Sequence, residues 1–489
     1  MAASRTEPEV RTTAGALRGT REAGLAVFRG VPFAAPPVGV FRFREPGPVR
    51  PWDGVRPALA YGPPPPQSGV LGASGQGGDD WLTLNVWTPD TDAALPVMVW
   101  IPGGGYAMGH SGLPEYDAGH LASTGTVVVT INYRLGVEGF ARIDGAPANR
   151  GLLDQVAALE WVRDNVGAFG GDPDRVTVFG QSAGGGSVAA LLAMPRAAGL
   201  FHRAVAQSVP GTFFSPELAA DLAAAFAAEA GVPPTVSGMA EVEPELLAAA
   251  GDAVFAKMDR WASITHRPIP FAPVVDGDVL PATPWQALAG GGARDVVLVA
   301  GHTRDEHRLF SLIDGTLGQV TREQAETALR VLAPGLGYRE AFPAASDEEV
   351  YELVNADWLF RMPSVRLAEA QVAGGGRAHL FELAWDAPGM GGVLGACHGL
   401  DVPLVFGNLA GGQTSMLIGE PSPEGVALSA EMRGSWTGFA AHGDPGWPPF
   451  TPGERLTRVF DTTSTVVPYP EETSRSLWCD HDFSALPLR

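Results

Sequence analysis

Arg175-Val-Thr-Val-Phe-Gly-Gln-Ser-Ala-Gly184 is the stretch that decides the fold of this chain. Residues 176–179 are mostly apolar and include two valines, which predicts a buried strand. Gly180 and Gly184 lie two positions either side of Ser182, and glycine accommodates the crowded backbone of a sharp turn. Residues 187–194 are rich in helix formers and stop at a proline. The stretch therefore predicts a strand, a sharp turn with a serine at its apex, and a helix.

A serine at the apex of such a turn is typical of a nucleophile elbow, which exposes the hydroxyl for attack on a carbonyl. The alternative is a glycine-rich surface turn, because 63 glycines among 489 residues can supply a G-x-S-x-G pattern by chance. The choice depends on whether the chain also supplies a base and an acid for the serine.

The composition indicates a globular protein with a large core, since 45% of the residues are hydrophobic and 18% are charged. No apolar run is long enough for a membrane span, and the first ten residues lack the apolar segment of a signal peptide. We therefore expect a cytoplasmic protein, with Cys397 and Cys479 reduced. A net charge of −21 argues against nucleic acid and anionic membranes as partners.

Predicted strands alternate with helical segments along the chain. The strands are near-continuous apolar runs, which suit parallel strands covered on both faces; they lie at 96–101, 126–132, 176–179, 296–300 and 378–383. Apolar residues at helical spacing between 152 and 162 predict a crossover helix, and residues 216–250 are alanine-rich and predict outer helices. The pattern predicts an α/β fold with a large doubly wound sheet. We expect one domain over residues 10–489, preceded by a flexible segment 1–9.

Candidates for the base and the acid lie downstream of the serine, in the order that this type of fold requires. Asp305 and Glu306 both follow the predicted strand at 296–300, and either could orient the base. The candidates for the base are His302, His307 and His398. The chain contains no H-E-x-x-H, no G-x-G-x-x-G and no cysteine cluster, so we expect neither a metal nor an organic cofactor.

Further motifs run in a fixed order along nearly the whole chain. They are Arg29-Gly-Val-Pro-Phe-Ala-Ala-Pro-Pro-Val-Gly39, Phe41-Arg-Phe43, Leu82-Thr-Leu-Asn-Val-Trp-Thr-Pro89, Asn132-Tyr-Arg134, Phe169-Gly-Gly-Asp-Pro173, Phe271-Ala-Pro-Val-Val-Asp-Gly277 and Asp305-Glu306. In these motifs the chain resembles the type-B carboxylesterase family, which includes bacterial para-nitrobenzyl-type esterases and cholinesterases. The resemblance implies an α/β-hydrolase fold, with a mostly parallel twisted sheet and helices on both faces, and hydrolysis of carboxylic esters through an acyl-enzyme.

The resemblance also implies roles for particular residues. Position by position, Ser182 resembles the nucleophile, Glu306 the orienting acid and His398 the base, with Asp305, His302 and His307 as local rivals. The oxyanion hole is expected from the backbone N–H groups of Gly104, Gly105 and Ala183, which would bind charge that appears only in the transition state. Ser208 resembles a serine that hydrogen-bonds the acid, and Gln181 directly precedes the nucleophile. Plausible pocket residues are Tyr106, Phe213, Phe214, Phe271 and Phe310, although each could equally belong to the core.

The substrate is expected to be a small neutral ester. Gln181 is neutral where cholinesterases carry a glutamate, and residues 62–78 contain no aromatic side chain for a choline-type cation. The alternatives are a hydrolase of carbamates, amides or synthetic aromatic esters on the same machinery, or a non-catalytic binding protein on the same fold. The family pattern also suggests an ion pair between Arg42 and Asp79. The sequence does not predict an oligomeric state.

Overall fold

The computed structural model of the chain describes residues 7–69, 78–261 and 269–488. Within these ranges the strands are β1 (Glu9–Arg11), β2 (Ala16–Arg18), β3 (Thr20–Glu22), β4 (Leu25–Pro32), β5 (Val55–Pro57), β6 (Thr83–Thr88), β7 (Leu95–Ile101), β8 (Val127–Ile131), β9 (Gly171–Gln181), β10 (Arg203–Gln207), β11 (Val297–Thr303), β12 (Arg377–Leu383), β13 (Leu456–Phe460) and β14 (Thr465–Pro468).

The α-helices of the described ranges lie mainly between these strands. They are α1 (Gly119–Ala122), α2 (Gly136–Phe140), α3 (Arg150–Asn165), α4 (Ala183–Ala193), α5 (Pro216–Ala230), α6 (Val236–Met239), α7 (Pro244–Phe255), α8 (Pro284–Ala289), α9 (Arg308–Ile313), α10 (Arg322–Leu332), α11 (Tyr338–Ala341), α12 (Asp347–Ala356), α13 (Met362–Ala373), α14 (Asp401–Phe406), α15 (Thr414–Ile418), α16 (Pro423–His442) and α17 (Glu472–Leu477). A π-helical turn, Asp357–Arg361, joins α12 to α13.

One large sheet organises the described part of the chain, with strand order β14-β13-β12-β11-β10-β9-β7-β8-β6-β4-β3. Its centre, from β13 to β8, is parallel throughout. The two edges are antiparallel, with β14 on one side and β6, β4 and β3 on the other. The carboxyl ends of the parallel strands therefore meet at one edge of the sheet, where ligand sites of α/β proteins form.

Both faces of the sheet are covered by apolar side chains. Along β7, Val97, Val99 and Ile101 pack into one hydrophobic cluster, while Met98 and Trp100 pack into a second one. Because successive side chains of a strand point to opposite faces, a strand buried on both sides has no polar face to show. This burial explains why the central strands read as continuous apolar runs in the sequence.

The predicted mostly parallel α/β sheet is confirmed. The five predicted strands correspond to β7, β8, β9, β11 and β12, and the predicted crossover helix corresponds to α3. Strands β10 and β13 and the antiparallel edge strands were not predicted from the sequence. The predicted boundary after residue 9 falls within β1, and residues 1–6 of that predicted segment lie outside the described residues. A single domain over residues 10–489 stays a prediction.

The expected ion pair between Arg42 and Asp79 is wrong. Arg42 instead donates from Nε and from its NH2 group to Glu138 Oε1, at 2.9 and 2.6 Å, and both side chains are nearly buried. Asp80, the neighbour of Asp79, pairs with Arg56. Among the described helices, none combines the length and the apolarity that crossing a bilayer requires.

Candidate active site

Ser182 lies at the junction of β9 and α4 in a strained backbone conformation, with φ 58° and ψ −125°. A Cβ on Gly180 would lie 2.6 Å from the backbone of Gly184, and a Cβ on Gly184 would overlap the carbonyl oxygen of Ile101. The two glycines are therefore required by the close approach of the turn to β7. The strand, sharp turn and helix predicted around Ser182 are all present, and strain of this kind persists where the surroundings enforce it.

The glycine loop after β7 turns its backbone toward the same region. Gly104, Gly105 and Tyr106 all have positive φ, at 113°, 60° and 58°. A Cβ on neighbouring Gly103 would lie 3.3 Å from Ser182 Cβ, so the loop passes directly over the elbow. Within the described ranges, the N–H groups of Gly104 and Gly105 donate to no protein acceptor. The N–H of Ala183 is also open, because the first residues of a helix have no intrahelical acceptor.

Glu306 follows β11 and is completely buried. Its Oε1 accepts a hydrogen bond from the Thr303 N–H at 2.9 Å, and its Oε2 accepts one from His398 Nδ1 at 2.6 Å. Burial raises the pKa of this carboxyl, but the charge and hydrogen bond of His398, with Ser208 and Thr303, outweigh burial and hold the pKa below its usual value. Ser208 Oγ lies close to Glu306 without regular hydrogen-bond geometry, so His398 and Thr303 provide the main hold on the carboxylate.

His398 is buried against two aromatic rings. The Phe360 ring stacks on it with centroids 4.2 Å apart and planes at 26°, and Phe310 lies at 5.1 Å. Since Nδ1 faces the Glu306 carboxylate, Nδ1 carries the hydrogen and Nε2 keeps the lone pair. The structure therefore brings together the predicted acid and the predicted base. Because Nδ1 is bonded to Glu306, Nε2 is the nitrogen that would accept a proton.

The rival acid and both rival bases have other contacts. Asp305 Oδ2 accepts a hydrogen bond from the Ala396 N–H, two residues before His398, rather than contacting the imidazole. His302 contacts the Tyr469 hydroxyl at 2.8 Å, and burial lowers its pKa to about 4. His307 packs against Tyr351, and its Nδ1 lies 3.2 Å from Ser311 Oγ. Of the three histidines, His398 is the one that contacts Glu306.

Phe360 was not identified from the sequence, because its position depends on the π-helical turn. Pro363 has no N–H to donate to the Leu359 carbonyl four residues earlier, and its ring would crowd that carbonyl in a regular helix. The Leu359 oxygen instead accepts a hydrogen bond from the Gly211 N–H at 2.8 Å. The widened turn that results carries Phe360 onto His398, and π-bulges of this kind are frequent at functional sites. Pro363 is the sequence signal that could have indicated the irregularity.

A second carboxylate, Asp401, lies three residues after His398, at the start of α14, and is also completely buried. Its Oδ2 accepts a hydrogen bond from Gln207 Nε2 at 2.6 Å, and Gln207 Oε1 accepts one from the Trp436 indole N–H at 3.0 Å. Burial raises the pKa of Asp401 to about 6, although the Gln207 hydrogen bond and the positive charge of His398 oppose the shift. Asp401 therefore titrates near neutrality beside the candidate base.

The five aromatic residues predicted to line a pocket have different surroundings. Phe310 contacts His398, and Phe271 lines a small cavity with Ala107 and Gly136. Tyr106, Phe213 and Phe214 are buried in the larger hydrophobic cluster, which gives no support to a lining role. Among the residues that the structure describes, no group of three His, Cys, Asp or Glu side chains is arranged to hold a metal ion.

Comparison with known proteins identifies the family. Residues 6–465 match the model of the carboxylesterase family. The chain is 38% identical to the para-nitrobenzyl esterase of Bacillus subtilis (strain 168), over 95% of this chain and 97% of that protein. It is 36% identical to the phenmedipham hydrolase of Pseudarthrobacter oxydans, over 91% and 93% of the two chains. The crystal structure of a Geobacillus stearothermophilus carboxylesterase superimposes with a TM-score of 0.86 at 34% identity, covering 96% of this chain and 99% of that one. The chain has the α/β-hydrolase fold, belongs to the carboxylesterase family and is a serine hydrolase of carboxylic esters.

Proposed function

We propose that Ser182, His398 and Glu306 form the catalytic triad of this esterase, and that its substrates are small neutral carboxylic esters. The observation that carries the proposal is the 2.6 Å hydrogen bond between His398 Nδ1 and Glu306 Oε2. A buried carboxylate on Nδ1 fixes the tautomer of the ring and stabilises the imidazolium that forms when Nε2 takes a proton. Asp305 Oδ2 instead accepts a hydrogen bond from the Ala396 N–H, and His302 contacts the Tyr469 hydroxyl.

The reaction has two halves. Ser182 Oγ attacks the acyl carbon as His398 Nε2 accepts the hydroxyl proton, and the carbonyl oxygen becomes an oxyanion. The N–H groups of Gly104, Gly105 and Ala183 are available to bind that oxygen, since they donate to no other described acceptor. The imidazolium then protonates the departing alcohol. Water, deprotonated by the same nitrogen, attacks the acyl-enzyme and releases the carboxylic acid with Ser182 restored.

Neutral esters are favoured by the residues around the serine. Gln181 carries no charge, the glycine loop presents backbone only, and Phe310 and Phe360 supply apolar surface beside His398. A cationic choline ester would lose solvation here without gaining a carboxylate at position 181. An esterase for small neutral substrates also fits a relative named para-nitrobenzyl esterase. Location in the cytoplasm stays a prediction.

The proposal is tested by replacing the nucleophile. Ser182→Ala should lower kcat for p-nitrophenyl acetate by roughly 10⁶-fold and abolish labelling by a fluorophosphonate probe, while the circular dichroism spectrum is kept. Ser123→Ala, which removes an exposed hydroxyl, serves as the control and should be labelled like the wild type. Turnover and labelling retained by Ser182→Ala would remove the assignment.

The substrate class is tested separately with two acetate esters whose alcohols have the same shape. The neutral 3,3-dimethylbutyl acetate should be turned over with larger kcat/KM than acetylcholine, which carries a positive charge. A higher kcat/KM for acetylcholine would contradict the neutral-ester proposal without affecting the triad.

A further inference from the structure

The carboxamide of Gln181 lies between the glycine loop and the turn that carries His398. Its Nε2 is 3.2 Å from His398 Nε2 and 3.5 Å from His398 Nδ1. Its Oε1 faces the other way, since a Cβ added to Gly103 would lie 3.5 Å from it. The Gln181 side chain is buried, and its amide lies against both the glycine loop and the turn that carries His398.

The two distances show which part of the imidazole Gln181 touches. The lone pair of Nε2 lies in the ring plane and points away from Nδ1, so an atom on that lone pair would be much farther from Nδ1 than from Nε2. The amide nitrogen is almost equally distant from both ring nitrogens, and it therefore lies over the face of the ring. An N–H group over an aromatic face is weakly attractive. Gln181 thus contacts the face of the base, and its amide does not occupy the in-plane lone pair of Nε2.

Charge around the ring is already strongly negative. Glu306 and Asp401 are both buried, and each interacts electrostatically with His398. The other titratable groups on the elements packed around the ring are paired with further residues or uncharged at neutral pH; they are Asp305, His307, Arg308, Glu352, Arg361 and Cys397. A carboxylate in place of the Gln181 amide would be a third buried anion, in direct contact with the ring.

We propose that Gln181 is a positioning residue for the base. Its amide packs on the face of the His398 ring and fills, without charge, a place where a carboxylate would be a third buried anion. This inference rests on the proposed roles of Ser182 and His398. A carboxylate in the same place would put a buried negative charge on the ring face and favour the imidazolium, which cannot accept the proton of Ser182.

The test is the pH profile of kcat/KM for p-nitrophenyl acetate. Gln181→Glu should move the midpoint of the acidic limb up by about one pH unit, because an opposite charge at this distance favours the imidazolium. Gln413→Glu makes the same substitution at an exposed glutamine and should leave the midpoint unchanged. A Gln181→Glu profile that superimposes on the wild-type profile, or shifts to lower pH, overturns the inference.

A second variant keeps the test decisive if Gln181→Glu does not fold. Gln181→Met keeps the shape and adds no charge, but it removes the N–H from the ring face. It should lower the plateau kcat about tenfold with KM unchanged, because a poorly held base is misplaced for proton transfer. An unchanged plateau kcat overturns the positioning role.

Failure of this inference can be distinguished from failure of the proposed triad. If Ser182→Ala is inactive and unlabelled while the Gln181 variants behave like the wild type, only the role of Gln181 is removed. If Ser182→Ala keeps its activity, the triad itself is removed.

Discussion

Asp305 and Ala396 hold each other by two reciprocal hydrogen bonds. The Asp305 N–H donates to the Ala396 carbonyl at 2.9 Å, and the Ala396 N–H donates to Asp305 Oδ2 at 2.9 Å. Asp305 directly precedes Glu306, and Ala396 lies two residues before His398. The pair therefore fastens the turn of the candidate acid to the loop of the candidate base, although neither residue touches the imidazole.

Loss of this connection should impair the alignment of the base. We expect Asp305→Ala to lower kcat about tenfold, with KM nearly unchanged, because small displacements of catalytic groups are costly. Steady-state kinetics with p-nitrophenyl acetate measures the effect. Asp386→Ala, which removes an exposed partner of Arg304 nearby, should leave kcat unchanged. An Asp305→Ala enzyme with wild-type kcat would show that the connection is dispensable.

Local sequence signals predicted the turn at Ser182 and pointed to Glu306 and His398, which the structure brings together, but they did not predict the residues packed around them. The elbow at Ser182 and the order of Glu306 and His398 are local signals, because each is attached to a strand or motif that can be read without its neighbours. The contacts of Phe360 and Gln207 depend on long-range packing. Gln207 meets Asp401, 194 positions away, and its strand β10 is Arg-Ala-Val-Ala-Gln, whose single β-branched residue is a weak strand signal.

The ion pair of Arg42 shows the same limit. A family pattern suggested Asp79 as its partner, but the chain brings Glu138 of α2 to the guanidinium, at 2.6 Å. The sequence does not show which carboxylate the fold brings to Arg42. The packing of α2 against the segment around Arg42 decides it in favour of Glu138.

Arg134 and Asp154 form a buried ion pair whose loss should be costly. Two Arg134 side-chain nitrogens contact the carboxylate at 2.8 and 2.7 Å, and both side chains are 0% exposed. Burial and the charge of Arg134 already lower the pKa of neighbouring Arg150 to about 9. Asp154→Ala should therefore lower the free energy of unfolding by about 3–5 kcal/mol, since it leaves Arg134 buried without its counter-charge. Urea denaturation measures this value.

The matched control is the exposed pair of Arg163 and Asp164, on the same helix α3. Asp164→Ala should change the free energy of unfolding by less than about 1 kcal/mol, because water already solvates both charges. Equal effects of Asp154→Ala and Asp164→Ala would contradict the stated role of burial.

The elbow glycines give a prediction about folding. Gly184→Ala should sharply reduce the yield of folded protein, because the added Cβ overlaps the Ile101 carbonyl and backbone cannot give way as a side chain can. Gly167→Ala is the control, since Gly167 is exposed and a Cβ there meets no atom within 4 Å. We expect its melting temperature to match the wild-type value within error. Thermal melts of both variants decide the point, and a well-folded Gly184→Ala protein would refute it.

Asp401 predicts a pH dependence of stability. Burial raises its pKa from 3.8 to about 6, so the folded protein binds this proton more tightly than the unfolded chain does. The associated stability is complete below about pH 4 and is lost as the pH rises through 6. Asp401→Asn cannot ionise, so the difference in free energy of unfolding between this variant and the wild type should shift in favour of the variant by about 2 kcal/mol from pH 4 to 7.

Urea denaturation at several pH values between 4 and 7 measures this difference. Asp174→Asn, at an exposed position, should show a constant difference from the wild type over the same range. A constant difference for Asp401→Asn as well would mean that Asp401 does not titrate as the structure indicates.

The π-helical turn at Asp357–Arg361 also limits which length changes this segment can tolerate. Helices α12 and α13 run through it as one rod, with Phe360 on His398 and with Val365 and Leu367 in the core. Deleting one residue from this turn would restore regular winding and remove the extra residue that a π-helical turn accommodates. The orientation of α13 would then change little, but Phe360 would no longer be carried onto the imidazole. A deletion within α13 itself would instead rotate the residues on one side of it by about 100° and turn core side chains toward water.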